Sequence, residues 1–314
     1  MNNAYDFAVI GGDLRQVYLV EELYSCRKKV CHYALYIPAA VNRPEHSPCA
    51  VSSDYAAASA DSMDASADCA DSLTEACADS ACIVGPVPLS RNGLELNQSG
   101  VDEAIPLSLL LSCLHPGQFF FAGCIPQDFR NTAKDMGVHV FDLMENPSLT
   151  CFNTIATAEG AICEAISRSP LNLRHSSCAV LGFGNCGRTI SYYLKGMLCQ
   201  LQVISNDPME LAQAALIADR ASDICDFHTR AGEFDFIFNT IPAVTITADL
   251  LLRLKPSVTI IDIASSPGGV DFSAAQELNI NAVQCPGLPG RYAPASSARG
   301  ILETIGHILN QSFS

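Results

Sequence analysis

The stretch that most constrains the fold is a short apolar run that passes directly into a glycine fingerprint and then into a helix-forming segment. Residues 178–187 read CAVLGFGNCG, with the fingerprint glycines at Gly182, Gly184 and Gly187. In this order the glycines permit a tight turn, a close backbone approach to a pyrophosphate, and close packing of helix on strand. Asn185 and Cys186 then open the helix, where free N–H groups favour phosphate. The pattern predicts dinucleotide binding; the alternative is a glycine-rich turn that binds nothing.

Alternating strand and helix patterns lie on both sides of this fingerprint, and 314 residues suffice for two domains. We predict an α/β fold of two doubly wound parallel-sheet (Rossmann-like) domains joined by long helices. Residues 1–150 are expected to form an N-terminal substrate or catalytic domain. Residues 151–314 are expected to form an NAD(P)-binding Rossmann domain whose C-terminal helix returns to the N-terminal lobe. Ligands would bind in a cleft between the lobes, beyond the carboxyl ends of the strands.

The charge of the chain limits its partners. The formal net charge is −15, which argues against nucleic acid or an anionic membrane, because both need basic patches. Part of this charge is concentrated in eight acids between Glu45 and Cys82, where no Lys or Arg occurs. Within that stretch, residues 44–71 are rich in Ala, Ser and Asp and predict a solvated, low-complexity insertion. A weak Ala-rich helix is the alternative there.

Cysteine usage and hydropathy indicate a reducing, aqueous compartment. The 15 cysteines are scattered, with no C-x-x-C and no zinc-ligand spacing, so we expect reduced thiols and no metal site. The uncharged stretch 104–127 is interrupted by Pro106, by Pro116-Gly117 and by Pro126, which leaves pieces too short to cross a bilayer. A strand near the N-terminus with no signal-like region leads us to expect a soluble, cytoplasmic protein. The oligomeric state is open, a homo-oligomer included.

Polar turns follow successive predicted strands of the second half. These candidate cofactor contacts are Asn206 and Asp207, then Thr240, Ile241 and Pro242, and finally Pro286 and Gly287. Asp207 has the spacing of an acid that binds the ribose 2′-hydroxyl and favours NAD, but it precedes a proline and suits a helix cap equally well. Ser265 lies in another such turn, near the expected nicotinamide. Any one of these turns could be a plain loop.

The first half offers candidate groups for an anionic substrate. Arg15 follows a strand–glycine–helix pattern and Arg91 follows a second strand end, so both are placed to pair with carboxylates. A surface ion pair is the alternative for each arginine. Glu159 is a candidate base at the lobe junction, although such an acid is more often a helix-surface residue. No His lies in a turn that we can place in the cleft, and a reaction driven by aromatisation would need such a base less.

With these segments assembled, the chain resembles the A-subunit family of dipicolinate synthase over nearly everything except residues 44–71. The resemblance rests on VIGGDLRQ at 9–16, PLSRNG at 88–93, TAEGAI at 157–162, the fingerprint, NTIP at 239–242, DIASSPGGVD at 262–271 and PGLPGRYAP at 286–294. The last two motifs are the most specific, because few other dinucleotide-binding folds carry both.

The resemblance implies an NAD(P)-dependent oxidoreductase that converts dihydrodipicolinate, or its hydrated precursor, to dipicolinate during sporulation. It further implies a small heterocyclic dicarboxylate substrate, the B-subunit of dipicolinate synthase as a partner, and a location in the mother cell. In the family a basic residue suited to a 2′-phosphate lies where this chain has Ser205-Asn206-Asp207. The choice between NAD and NADP therefore stays open.

Two other functions fit the same pattern. One is a hydroxy-acid or amino-acid dehydrogenase of the same two-lobe architecture, which the missing His disfavours. The other is a non-catalytic, nucleotide-sensing protein whose front lobe binds a partner protein. Substitution of Arg15 and Arg91 distinguishes them, since only an enzyme would lose turnover while retaining cofactor binding.

Overall fold

The computed structural model describes residues 4–36, 68–101 and 103–312. These fall into two compact units. The N-terminal unit comprises Met1–Thr150 together with Pro294–Ser314, and the C-terminal unit comprises Cys151–Ala293. The first unit is thus built from two separate stretches of the chain.

Each unit contains one six-stranded sheet, and every strand pairing in both sheets is parallel. The N-terminal sheet has the order β3-β2-β1-β4-β5-β6, with strands β1 (Tyr5–Ile10), β2 (Val30–Tyr33), β3 (Asp68–Cys69), β4 (Ser80–Val84), β5 (Phe119–Ala122) and β6 (His139–Asp142). The C-terminal sheet has the order β12-β11-β10-β7-β8-β9, with strands β7 (Ser177–Leu181), β8 (Gln200–Ile204), β9 (Arg220–Ser222), β10 (Phe236–Asn239), β11 (Thr259–Asp262) and β12 (Asn281–Gln284). The predicted fold class, two doubly wound Rossmann-like sheets, is confirmed.

Helices connect the strands, as parallel pairing requires. In chain order they are α1 (Leu14–Ser25), α2 (Leu73–Ala78), α3 (Leu107–Ser112), α4 (Gln127–Asp135), α5 (Pro147–Arg168), α6 (Asn185–Gly196), α7 (Pro208–Ala214), α8 (Ile224–Thr229), α9 (Ala248–Leu251), α10 (Phe272–Glu277), α11 (Leu288–Tyr292) and α12 (Pro294–Ser312). Short 3₁₀ turns follow β6 and α8, over Leu143–Glu145 and Ala231–Glu233.

The strands are apolar on both faces because each sheet is covered on both sides. In β1, Ala8 and Ile10 belong to one buried cluster, while Phe7 and Val9 belong to the cluster on the opposite face. The second of these clusters includes side chains of α12, among them Ile305, which is fully buried. The C-terminal helix is therefore part of the hydrophobic core of the N-terminal unit.

The end of the predicted insertion is ordered, which corrects its boundary. Residues 44–67 lie outside the described part of the chain, but β3 begins at Asp68 and pairs with β2. Helix α2, which the sequence analysis did not predict, follows at once. The Ser72 side chain accepts a hydrogen bond from the Glu75 backbone N–H (3.2 Å), and the Glu75 carboxylate accepts one from the Asp71 N–H (3.0 Å). This reciprocal capping stabilises a helix that its composition alone did not indicate.

Strand β2 is short, with only four residues. It ends at Tyr33, and Ala34 has a positive φ of 53°. That conformation breaks the extended backbone after four residues. Ile37 lies outside the described residues.

The uncharged stretch 104–127 forms α3, β5 and the turns around them. Across the described ranges, every helix is either too short or too polar to span a bilayer.

The buried position of Ile305 predicts that α12 contributes to the stability of the N-terminal unit. Ile305→Ala should lower the free energy of unfolding by roughly 2–5 kcal/mol, because it removes a buried side chain and leaves a cavity. Urea unfolding followed by circular dichroism measures this. Glu303→Ala, at an exposed position of the same helix, is the control. Equal unfolding midpoints for the two variants would contradict the assignment of α12 to this core.

Candidate dinucleotide and anion sites

The carboxyl edge of the C-terminal sheet is where the predicted cofactor contacts meet. Strand β7 lies at the centre of this sheet, between β10 and β8. The chain passes from β7 to β8 on one side and later builds β10, β11 and β12 on the other. Such a reversal of strand order creates a crevice at the carboxyl ends of the strands, and ligands of open α/β sheets bind there.

Local geometry requires two of the three fingerprint glycines, Gly182 and Gly187, and leaves space beside the third. We call residues 182–187 the fingerprint turn. Gly182 has φ +86°, and a Cβ there would lie 2.5 Å from Thr240 Oγ1. A Cβ on Gly187 would lie 2.2 Å from the Gly182 carbonyl oxygen, so α6 can approach the turn only without a side chain at this position. A Cβ on Gly184 would meet nothing within 4 Å, which leaves open space beside the helix terminus.

The N-terminus of α6 is free to receive an anion. Gly184 is its N-cap residue and no side chain caps the helix. The first N–H groups of the helix therefore lack a side-chain acceptor, and the helix dipole favours a negative group beside them. Asn185 is exposed and Cys186 is half-buried, and burial raises the pKa of the Cys186 thiol. These features fit a pyrophosphate and give Cys186 no nucleophilic character.

The turn after β8 contains the acid predicted to bind ribose. The Asp207 side chain accepts a hydrogen bond from the Met209 N–H (2.7 Å) and caps α7, which is the alternative that the sequence left open. Asn206 Oδ1 accepts from the Ile224 N–H (3.4 Å). A second acid, Glu210, lies closer to the fingerprint turn, and its carboxylate accepts from the Phe183 N–H (3.1 Å). Sequence spacing pointed to Asp207 and missed Glu210, which lies one helical turn further along.

The turn after β10 packs directly on the fingerprint turn. Thr240 Oγ1 donates to the Leu181 carbonyl (2.8 Å), and the Thr240 N–H donates to the same oxygen (2.9 Å). Ile241 is half-buried and Pro242 is exposed. These three predicted contacts thus lie beside Gly182, at the same edge of the sheet as the helix terminus.

A fully buried carboxylate holds the turns after β10 and β11 together. Asp262 accepts hydrogen bonds from the Asn239 side chain (2.8 Å), the Ala264 N–H (3.1 Å) and the Gly269 N–H (2.8 Å). The loop that closes between these residues includes Gly268 at φ +89° and exposes Ser265. Ser265 therefore reaches the carboxyl edge on a loop with a defined backbone. Its predicted role near the nicotinamide stays a prediction.

The turn after β12 is anchored on α5 through Glu164, which sequence reasoning missed. Pro286 and Gly287 are exposed, and the chain then enters α11. The buried Glu164 carboxylate accepts from Tyr292 Oη (2.6 Å) and Arg291 Nη2 (2.8 Å) of that helix, and from Arg168 Nε (2.9 Å). The turn that carries Pro286 and Gly287 is thus fixed to α5 by two donors of α11, while Arg168 of α5 itself supplies the third donor to Glu164.

Glu159, the candidate base, lies elsewhere. It is exposed on α5 and accepts a hydrogen bond from Tyr193 Oη (3.0 Å). Tyr193 is eight residues beyond the start of α6, about 12 Å along a helix at 1.5 Å per residue. The Glu159 carboxylate therefore faces the distal half of α6, and the structure does not bring it to the fingerprint turn.

In the N-terminal unit, Arg15 is held by its own turn. Its Nε and Nη2 donate to the two carboxylate oxygens of Asp13 (2.9 and 2.7 Å), and Nη2 also donates to the Val87 carbonyl. Burial alone would raise the pKa of Asp13, but the Arg15 guanidinium and the nearby Arg91 hold it below its ordinary value. Asp13 caps α1 as well. Arg15 is accordingly an internal ion-pair partner that positions the turn at Val87.

Arg91 lies on an accessible concave surface of the same unit. Its Nε donates to Asn97 Oδ1 (3.0 Å), and Asn97 Nδ2 donates to the Pro88 carbonyl (3.1 Å). A cavity of about 290 Å³ is lined by Arg91, Asn92, Glu95, Leu96, Asn97, Gln98, Val101 and Ala104. Of the two predicted arginines, Arg91 is the one with a guanidinium facing a cavity.

The metal prediction concerns the described residues only. Within residues 4–36, 68–101 and 103–312, no group of three or more His, Cys, Asp or Glu side chains is arranged to hold a metal ion.

Two fully parallel sheets, one with an uncapped, glycine-rich helix terminus at its switch point, define a Rossmann-like α/β protein. The solved structure of the dipicolinate synthase A-subunit from Bacillus halodurans shares this fold, with a TM-score of 0.76 and 22% identity over 98% of this chain and 99% of that one. The transhydrogenase from Sinorhizobium meliloti shares it with a TM-score of 0.65 and 14% identity, over 97% of this chain and 94% of that one.

Sequence comparison supports the resemblance. Residues 6–144 match the family model for the N-terminal domain of the dipicolinate synthase A-subunit. The dipicolinate synthase A-subunit of Bacillus subtilis (strain 168) is 29% identical over 194 residues, which cover 60% of this chain. The matched stretch spans 64% of that relative's length. The resemblance to the A-subunit family of dipicolinate synthase that was stated from the motifs is confirmed by these matches.

The three donors around Glu164 predict a pH-dependent contribution to stability. The Tyr292 hydrogen bond, with help from Arg168 and Arg291, lowers the pKa of Glu164 below its ordinary 4.5, against the opposing effect of burial. A carboxylate with a depressed folded-state pKa stabilises the protein above its unfolded-state pKa, and this stabilisation is lost as the pH falls.

Glu164→Gln should therefore lower the thermal unfolding midpoint at neutral pH, and it should reduce the loss of stability as the pH falls below about 4.5, toward the lowered pKa of the folded state. Differential scanning calorimetry across this range measures both effects. Glu159→Gln, which alters an exposed acid on the same helix, is the control. A pH dependence unchanged in Glu164→Gln would show that this carboxylate is not the titrating group.

Proposed function

We propose that this protein is an NAD(P)-dependent oxidoreductase that converts dihydrodipicolinate, or its hydrated precursor, to dipicolinate. The observation that carries the proposal is the uncapped terminus of α6 beside the open Gly184, in a chain that resembles this family. Free N–H groups, a positive dipole end and space without side chains are the requirements for a pyrophosphate.

The residues of the C-terminal unit fit a dinucleotide. The N–H groups of Asn185, Cys186 and Gly187 would hold the pyrophosphate, and Thr240–Pro242 would line the adjoining surface. Ser265 and Pro286–Gly287 lie at the ends of β11 and β12, on the side of the sheet that carries the nicotinamide in the proposed complex. When bound, the nicotinamide supplies a hydride acceptor. The residues of the protein would hold the nicotinamide ring against the substrate and keep the backbone of the site rigid.

The N-terminal unit supplies the binding group for the substrate. Arg91 would pair with a carboxylate of the dicarboxylate ring, because a guanidinium matches a carboxylate in charge and geometry. Arg15 would act indirectly, by holding the turn at Val87. The chain runs from this turn to Arg91. Asn97 orients Arg91 through the hydrogen bond to Nε.

Oxidation of the dihydropyridine ring would need no strong base to remove the proton. The reaction would remove a hydride from one ring carbon, for which a bound nicotinamide would be the acceptor, and a proton from a neighbouring position, whose C–H electron pair would complete the aromatic ring. Aromatisation favours loss of the proton, so water or a weak base is sufficient. Such a reaction needs no strong base in the site. The site would then serve to bind and orient the substrate, and the Glu159 carboxylate can remain hydrogen-bonded to Tyr193.

The biological setting follows from the family. We propose that the protein acts with the B-subunit of dipicolinate synthase in the mother cell of a sporulating bacterium. A hydroxy-acid or amino-acid dehydrogenase would share the cofactor site but would not form dipicolinate. A nucleotide sensor would bind dinucleotide without turnover. Assays of binding and of turnover therefore distinguish the three functions.

Gly187→Ala should abolish dinucleotide binding, because its Cβ would lie 2.2 Å from the Gly182 carbonyl and force α6 away from the turn. The measurement is the increase in melting temperature with saturating NAD or NADP, since a ligand of the native state raises it. Gly196→Ala, in the same helix with nothing within 4 Å of the new Cβ, should keep the full increase. Loss of binding in both variants, or in neither, would contradict the assignment of the fingerprint turn.

Arg91→Ala should lower kcat/KM for dipicolinate formation by about 10- to 100-fold, the loss expected for one charge-assisted hydrogen bond. Dinucleotide binding should be unchanged. Lys134→Ala, which removes an exposed cation of α4, is the control for net charge. Unaltered turnover in Arg91→Ala would overturn the proposed substrate site, and dinucleotide binding without any turnover in the wild type would favour the sensor.

A further inference from the structure

Glu210 lies between the fingerprint turn and the end of β8, where its carboxylate could contact the ribose of a bound dinucleotide. It occupies the first turn of α7, and one oxygen, Oε2, accepts hydrogen bonds from the Phe183 N–H (3.1 Å) and from Ser205 Oγ (2.6 Å). Phe183 belongs to the fingerprint turn, and Ser205 is the first residue after β8. The carboxylate therefore bridges the glycine turn and the end of the neighbouring strand.

The two hydrogen bonds fix the carboxylate and leave part of it for a ligand. Both donors bind Oε2, and among the described residues no donor binds Oε1. Glu210 is half-buried, so this second oxygen is accessible. Ser205 is buried and is itself held by the Asp207 N–H, which donates to Ser205 Oγ (3.1 Å). The acid is thus oriented by a buried neighbour before any ligand binds.

Asp207, the acid with the expected spacing, is used differently. Its carboxylate caps α7 by accepting from the Met209 N–H, and the residue is exposed. A role for Asp207 at the ribose would have to compete with that cap. Glu210 makes no helix cap and is hydrogen-bonded to the turn that would hold the pyrophosphate.

The charges around Glu210 disfavour an additional phosphate. Asp207 lies in the same turn, and Asp223, which caps α8, follows the neighbouring strand β9. Within residues 103–312, no lysine or arginine forms an ion pair with Glu210, Asp207 or Asp223. Arg188, in the first turn of α6, donates to the Phe183 carbonyl (2.9 Å) and to Gln213, and lies over the Phe183 ring.

We infer that Glu210 accepts the 2′-hydroxyl of the adenosine ribose and thereby selects NAD over NADP. This inference rests on the proposed dinucleotide site and specifies its cofactor. A carboxylate accepts hydrogen bonds from the ribose hydroxyls, whereas a 2′-phosphate carries about −1.5 to −2 charges at neutral pH and is repelled by the acid. A bound NADP would place its 2′-phosphate against this carboxylate, while Arg188 is already engaged by Phe183 and Gln213.

The test measures the affinities of NAD and NADP by isothermal titration calorimetry, on the full chain and three variants. The wild type should bind NAD at least tenfold more tightly than NADP. Glu210→Gln should weaken NAD binding by about tenfold, because a hydrogen bond to a charged acceptor becomes one to a neutral acceptor. It should also bring the two affinities together, because the repulsion is gone. Asp207→Asn, which keeps a side chain that caps helices well, should leave the ratio unchanged.

Ser205→Ala separates the charge of Glu210 from its orientation. It removes the donor to Oε2 but keeps the carboxylate, so NAD binding should weaken while the preference over NADP persists. A wild type that prefers NADP would overturn the inference. So would an unchanged ratio in Glu210→Gln, or a changed ratio in Asp207→Asn alone. If the folded wild type binds neither dinucleotide, the proposed function fails, whereas binding without discrimination refutes only the role of Glu210.

Discussion

The buried carboxylate of Asp262 is the interaction on which the C-terminal site depends. It is fully inaccessible, and three N–H donors from two different turns converge on it. Burying a carboxylate is unfavourable unless its oxygens are satisfied, so the loop from Ala264 to Gly269 must close around it. Asn239, which supplies the side-chain donor, is also fully buried and binds the Ile241 carbonyl (3.0 Å). The order of this edge of the sheet therefore arises from one polar centre beneath it.

Glu164 has the corresponding function for the turn after β12. Its two donors from α11 fix that turn to α5, while Asp262 fixes the turns after β10 and β11. Neither carboxylate faces the crevice. Both are buried supports of loops that do face it, and the rigidity of the loops comes from hydrogen bonds made outside the ligand-binding surface.

Sequence patterns were sufficient for the fold but only partly for the site. Parallel strands buried on both faces are continuous apolar runs, and the spacing of the fingerprint glycines can be read directly from the sequence, with Gly182 and Gly187 required sterically. The hydrogen-bonding partners of a side chain follow no such regular pattern in the sequence. Glu164 is one acid on a long helix, and its partners in α11 are more than 120 residues away, so nothing local marks it. Glu210 was missed because it reaches the glycine turn from a helix, beyond the strand end where such acids are expected.

The prediction for Arg15 illustrates a different limit. A strand, two glycines and a helix placed the guanidinium near a helix N-terminus, which is correct, but the adjacent Asp13 satisfies it first. A helix-capping acid two residues before an arginine competes with a ligand for the guanidinium. The sequence alone shows that such a pair is present. Helix α2 shows the converse case, since capping by Ser72 stabilises a helix that the sequence analysis did not predict.

The division of the N-terminal unit into two stretches has a consequence for how the chain folds during synthesis. Residues 4–150 leave the ribosome long before residues 294–312, yet Ala298, Ile301 and Ile305 of α12 are buried with β1 and α1. The C-terminal unit has all of its strands and can fold as soon as it emerges. The earlier-made sheet is covered on this face only in part, by α1, until α12 emerges, so apolar surface stays exposed during that interval.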